Sequence, residues 1–235
     1  MKIIEDLCIG CEQCVIICPT NAIRLIEKKA VINRDLCVEC SVCYRNAHCP
    51  VKAIKPERLK WPRIIRNTFS SVVATHKLTG IPGRGTEEMK TNDITGRFKK
   101  GEFGISIELG RPGVGTSLSN IELFTIKLAE IRVEFEKDSP VTALLIDDHG
   151  HLNEDVKEER VLSAIIEIKI PLEKLPQVLK IIKDIDKVID TVFTVGIVSK
   201  IENNDTSSVL NLINQQGFKV APNAKVNIGL GKLSI

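Results

Sequence analysis

No cysteine follows Cys49 in this chain of 235 residues. A secreted disulfide scaffold spreads its cysteines through the structure that they staple, so that class is excluded. The opening Met1-Lys2-Ile3-Ile4-Glu5-Asp6 lacks the apolar stretch of a signal peptide. Charge-free apolar runs such as Thr191 to Ser199 fall far short of the roughly 20 residues that cross a bilayer. The expectation is a soluble, cytoplasmic protein with no membrane span. Excess charge is also small: the formal net charge of +3 does not by itself imply nucleic acid. No Walker loop, G-x-G-x-x-G fingerprint, Ser-His-Asp set or paired-carboxylate signature can be placed. What remains is 43% hydrophobic and 27% charged, the composition of a chain with a packed core.

All 8 cysteines are crowded between Cys8 and Cys49. Cys8, Cys11, Cys14 and Cys18 read C-x2-C-x2-C-x3-C, with Pro19 following. Cys37, Cys40 and Cys43 repeat the triplet, and Cys49 closes the second set before Pro50. The copies match beyond sulfur: Leu7-Cys8 against Leu36-Cys37, and Cys18-Pro-Thr-Asn-Ala-Ile23 against Cys49-Pro-Val-Lys-Ala-Ile54. The second copy is two residues longer before its last cysteine. Intracellular cysteines at such spacing are metal ligands rather than disulfides. Zinc ribbons use C-x2-C pairs, and two triplets do not fit that pattern. Close spacing lets three thiolates wrap one cluster while the fourth comes from elsewhere.

Residues 1–56 resemble the bacterial-type ferredoxins with two [4Fe–4S] clusters. Carried over by position, the resemblance implies one cluster on Cys8, Cys11, Cys14 and Cys49 and another on Cys37, Cys40, Cys43 and Cys18. The departure is the gap Tyr44-Arg45-Asn46-Ala47-His48. There His48 either tunes the site or is an ordinary surface residue. Ala22–Ile26 and Ala30–Ile32 predict a hairpin, turned at Glu27-Lys28-Lys29 and covering one cluster. Residues 1–50 carry six bases and six acids.

Residues 52–66 are strongly basic and interrupted by Pro56, Trp61 and Pro62, and 57–75 are expected to be a basic linker. It is read either as a solvated connector with Trp61 packed on the ferredoxin, or as a dock for an acidic partner or anionic cofactor. Residues 76–235 form the other expected domain. Two glycine clusters, one around Gly83 and Gly85 and one at Gly110, Gly113 and Gly115, lie near the strand Gly104–Leu109. Ser119 and Glu122 follow in a capping-box pattern. Strand, glycine loop and helix N-terminus can cradle an anion such as a flavin phosphate, or can be tight connections. Arg84, Asn92, Asp93, Arg97 and Arg111 are the side chains to watch, since arginine clamps carboxylates. Asp147, Asp148, His149 and His151 read as a polar loop or a metal site. His76 is isolated.

Beyond Gly104 the hydrophobic period alternates. Strands are expected at 104–109, 132–136, 162–170, 190–201 and 218–228. Helices are expected from Ser119 to Arg132, around Leu175–Ile182, and from Asp205 or Thr206 to Gln216. The predicted class is α+β: a ferredoxin module followed by an α/β sandwich of the ferredoxin-like plait type. Ile165–Ser199 also resembles half of a small ligand-sensing ACT-type domain.

Three functions fit. The chain is an electron-transfer subunit that serves a larger redox enzyme or complex. Or it is a self-contained iron–sulfur reductase with a flavin or acidic substrate on segment 80–116, which is faintly similar to ferredoxin-bearing hydroxynicotinate reductases. Or it is an accessory factor that activates a metalloenzyme, organised like ferredoxin-bearing accessory proteins of anaerobes.

Overall fold

Apolar side chains gather into two separate clusters, and each organises its own set of short elements. A computed structural model describes residues 1–77, 80, 83–86, 95–111, 113–200 and 207–221. The smaller cluster joins Cys8, Cys14, Ile23, Ala30, Ala47, Ala53 and Ile54. Around it lie β1 (Lys2–Ile3), α1 (Gln13–Ile16), β2 (Ile23–Ile26), β3 (Lys29–Ile32), α2 (Val42–Asn46) and β4 (Ile54–Lys55). β2 and β3 form the expected antiparallel hairpin, with Ile23 opposite Ile32. Its turn is Glu27 and Lys28, both at positive φ, the conformation that matches the right-handed twist of the flanking strands. β1 pairs antiparallel with β4, so the two ends of this unit close on each other.

The larger cluster is built from a four-stranded antiparallel sheet and helices. Its strands are β5 (Glu102–Leu109), β7 (Glu134–Phe135), β9 (Ala164–Pro171) and β10 (Phe193–Ser199), in the spatial order β10-β5-β9-β7. A separate two-residue pair, β6 (Thr116–Ser117) and β8 (Arg160–Val161), closes one end. Strict alternation buries Phe103, Ile105, Ile107 and Leu109 against Ile166, Ile168 and Ile170. Helix α4 (Leu118–Glu130) adds Leu118, Ile121, Phe124 and Leu128 to the cluster. Helix α6 (Leu175–Asp186) adds Leu175, Val178, Leu179, Ile182 and Ile185. Both show the three-to-four spacing of an amphipathic helix. The short α5 (Glu154–Lys157) and α7 (Ser207–Gln215) complete the described elements.

Residues 57–75 are not a solvated connector. They contain α3 (Ile64–Ser70), whose Ile65 and Phe69 sit one turn apart and enter the larger cluster. Trp61 does not pack on the cysteine unit; its indole N–H donates to Asp155 at 3.0 Å. The capping box also fails to form. Helix α4 begins at Leu118 after Ser117, and Glu122 instead accepts from the Leu152 N–H and pairs with Lys157. Of the expected strand 218–228, residues 218–221 are not extended into a sheet, and the rest lies outside the described residues. So do Asn92 and Asp93.

Phe69 is fully buried, so Phe69→Ala is expected to lower unfolding free energy by about 3–5 kcal/mol. Denaturant unfolding of the full chain measures this. A loss below about 1 kcal/mol would show that α3 is not part of the core.

Candidate metal centre

The cysteine repeat is also a backbone repeat. Gly10 and Glu39 have φ of 69° and 55°, and Glu12 and Ser41 have 61° and 60°. Asn21 and Lys52, in the turns after Cys18 and Cys49, have 52° and 51°. Left-handed residues between the cysteines curl each loop tightly enough for its thiols to face a common point. At Gly10 a side chain is excluded by space as well, because a Cβ would lie 2.3 Å from the Lys28 carbonyl in the hairpin turn.

This curling brings Cys8, Cys11 and Cys14 together with the distant Cys49. The four line one hollow with Ile3, Ile9, Ala30, Val51 and Ala53. In the other set, Cys40, Cys37 and Cys18 lie close enough for their charges to raise the Cys43 thiol. Cys49 thus lines the hollow of the first triplet, and the charge of Cys18 acts on Cys40 and Cys43 of the second. Backbone N–H groups donate to sulfur in both sets, from Ala30 to Cys8 at 3.3 Å, Ala53 to Cys49 at 3.3 Å and Ala22 to Cys18 at 3.2 Å. His48 lies on the exposed surface.

The chemistry of these sulfurs fits a cationic group. Burial, reinforced by neighbouring thiolates, pushes the Cys43 thiol up to about 12, and Cys14 and Cys40 are raised for the same two reasons. Cys37 is raised by burial and by the Glu39 charge. Thiols raised in this way do not ionise together without positive charge among them. Among the described residues no group of three or more His, Cys, Asp or Glu is arranged to hold a single metal ion. Zinc draws its sulfurs to about 2.3 Å from one point, whereas the first quartet surrounds a hollow. A polynuclear iron–sulfur cluster matches the donor set.

The second cysteine loop is gripped from outside. Arg66 Nη1 donates to the carbonyls of Arg34, Asp35 and Cys37 at 3.1, 2.9 and 3.1 Å. Its Nε meets Glu159 of the larger unit. Arg63 donates to the Arg34 carbonyl at 2.9 Å and to Glu39 at 2.8 Å. Asn67 donates to the Glu39 carbonyl at 2.7 Å, and Arg45 to that of Cys40 at 3.0 Å. Burial pushes the Glu39 carboxyl up, but bonds and charge from the Met1 amine and Arg63 outweigh it and hold it below its ordinary range. The composition of 57–75 signalled the basic charge but not its targets.

Among the described residues of the glycine segments, three amides are taken by the chain's own carbonyls. The Gly83, Gly110 and Gly115 amides donate to the carbonyls of Ala74, Val192 and Gly110. Gly85 packs against Ile165 and Glu167, and a Cβ on Gly113 would lie 3.4 Å from the Pro19 carbonyl, next to Cys18. These glycines are points of close approach. The watched arginines also have partners within the chain: Arg84 and Arg111 converge on Glu108, and Arg97 pairs with Glu136 and Glu134. Asp147 accepts from the His149 and His151 N–H groups and contacts the His151 ring at 2.8 Å, which closes a polar loop. His76 is buried edge-on to Phe69, and burial lowers its pKa, favouring the neutral ring.

The 4Fe-4S binding domain family matches residues 1–24. Ferredoxin-1 of Caulobacter vibrioides is 33% identical over 105 residues, 42% of this chain and 88% of that protein. Pyruvate synthase subunit PorD of Methanothermobacter marburgensis is 43% identical over 56 residues, 24% of this chain and 63% of PorD. A component of the ion-translocating oxidoreductase complex of Methanosarcina acetivorans is 46% identical over 48 residues, 20% of this chain and 17% of that component. No solved structure matches the chain. Among the described residues no helix is long and apolar enough to cross a membrane.

Gly110 has φ +90°, and a Cβ there would lie 2.6 Å from the Leu162 carbonyl. Gly110→Ala is therefore expected to lower stability by about 1–3 kcal/mol while iron content per folded chain stays unchanged. Thermal unfolding and iron analysis check this together. Loss of iron in a fully stable variant would contradict a packing role.

Proposed function

Because the chain belongs to the 4Fe-4S ferredoxins through its N-terminal portion, we propose that it carries two [4Fe–4S] clusters and delivers single electrons to a larger redox enzyme or metalloenzyme-activating complex. The ligands are Cys8, Cys11, Cys14 and Cys49 for one site and Cys37, Cys40, Cys43 and Cys18 for the other. The observation that carries this reading is the hollow that Cys49 shares with the first triplet. The clusters, when bound, supply one-electron storage at low potential. The protein's own residues line the first site with the apolar Ile3, Ala30, Val51 and Ala53, and fix the second through the arginines at α3.

The role as a component of an assembly draws support from two relatives whose names place them in a pyruvate synthase and in an ion-translocating complex. The larger unit, about 76–235, then serves to dock the electron carrier. Its strand order, with β5-α4-β7-β9-α6-β10 running antiparallel as β10-β5-β9-β7, is the arrangement expected of a ferredoxin-like plait. Residues 57–75 belong with this unit through α3. An anaerobic, cytoplasmic setting suits clusters of this kind.

Anaerobically reconstituted protein is expected to hold about eight irons and eight sulfides per chain, the content of two four-iron clusters. Cys18→Ser is expected to remove the paramagnetic signal of the Cys37 site and spare that of the Cys8 site. About four irons in the wild-type protein, or loss of the Cys8-site signal in the variant, would overturn the assignment.

A further inference from the structure

The two cysteine loops occupy equivalent places in the repeat, yet their electrostatic surroundings differ. Residues 5–16 contain three acids, Glu5, Asp6 and Glu12, and no base. In the equivalent stretch 34–45, Arg34 replaces Glu5, Ser41 replaces Glu12, and Arg45 replaces Ile16. The carbonyls behind the first loop receive one cationic side chain. Lys29 Nζ donates to Glu5 and Cys8 at 3.0 and 2.7 Å. Behind the second loop, Arg66, Arg63, Arg45 and Asn67 cover the carbonyls of Arg34, Asp35, Cys37, Glu39 and Cys40.

We infer that Arg45, Arg63 and Arg66 make the Cys37/Cys40/Cys43/Cys18 site the higher-potential member of the pair, so that it is reduced first. The inference rests on the two-cluster reading above. Reduction adds one negative charge to a site, and nearby positive charge favours the reduced form. Capping the carbonyls with guanidinium groups also offsets the negative ends of dipoles that would otherwise oppose that charge. Acids are present here too: Glu39 pairs with Arg63, Glu159 with Arg66, and Glu57 with Arg34. Counting Asp35, these four acids face the four arginines and the Met1 amine that also pairs with Glu39, whereas the first loop sets three acids against Lys29. The balance therefore still favours the second site by about three charges.

Two other effects do not reverse this order. Bonds from backbone N–H to sulfur occur equally at both sites, with Cys8, Cys14 and Cys49 as acceptors at one and Cys18, Cys37 and Cys40 at the other. Exposure favours the first site only at Cys11; apart from Glu12 and Gln13, the non-cysteine lining of its hollow is apolar, with Ile3, Ala30, Val51, Ala53 and Ile54 among it. Such an apolar wall disfavours added charge. The higher-potential site also lies toward the larger unit, through Glu159 and the Gly113–Pro19 contact.

The test is a redox titration of the reconstituted full chain, followed by electron paramagnetic resonance, for wild type, Arg45→Gln, Arg63→Gln and Glu12→Gln. Arg45 and Arg63 are partly exposed, so their variants are expected to fold. Wild type is expected to show two separated midpoints. Each arginine variant is expected to lower only the upper one, by about tenfold in the reduction equilibrium, or about 59 mV for one electron. Glu12→Gln is expected to raise only the lower one. Coincident wild-type midpoints, or arginine variants that shift the lower midpoint or neither, overturn the inference while the two-cluster reading stands. About four irons per chain would instead overturn that reading itself.

Discussion

The buried guanidinium of Arg66 is the interaction on which the arrangement of the whole chain depends. One of its faces meets three carbonyls of the segment leading into Cys37, and the other meets Glu159, 93 residues away. Removing one partner of a buried pair typically costs about 3–5 kcal/mol, because the remaining charge is left without compensation. Arg66 is held by α3, whose Ile65 and Phe69 belong to the core of the larger unit. The same helix therefore anchors apolar side chains in one unit and grips the backbone of the other. An electron carrier fixed in this way is presented to its partner in one orientation, unlike a module on a loose tether.

Within the smaller unit the governing constraint is charge. Burial and neighbouring sulfur raise the thiols of Cys14, Cys40 and Cys43, so the thiolate state needs a cation within the sulfur set. The two cysteine loops share one apolar floor of Ile23, Ala30, Ala53 and Ile54. The symmetry is close in the backbone and broken in the charges. That is how two chemically similar sites can differ in function.

The cysteine framework was legible in the sequence because its determinants are local: spacing, a following proline, and left-handed positions within a few residues. The sheet was legible for a similar reason, since Ile105, Ile107, Ile166, Ile168 and Ile170 alternate without interruption. Helix α3 was not. Its two apolar anchors are flanked by Pro62, Arg63, Arg66 and Asn67, which read as a solvated connector until the distant carbonyls and Glu159 are in view. The capping box misled because Glu122 had a stronger use, with the Leu152 N–H and Lys157. The glycine loops misled because tight connections and anion cradles share the same residues, and only the fate of the amides distinguishes them. Here those of Gly83, Gly110 and Gly115 close on the chain's own carbonyls.

Anomalous diffraction at the iron edge from anaerobically grown crystals tests the central claim most directly. The account predicts two compact groups of iron, one enclosed by Cys8, Cys11, Cys14 and Cys49, and the other, beside Arg63 and Arg66, enclosed by Cys37, Cys40, Cys43 and Cys18. A group bounded by Cys8, Cys11, Cys14 and Cys18, or a single metal ion at either position, would contradict it.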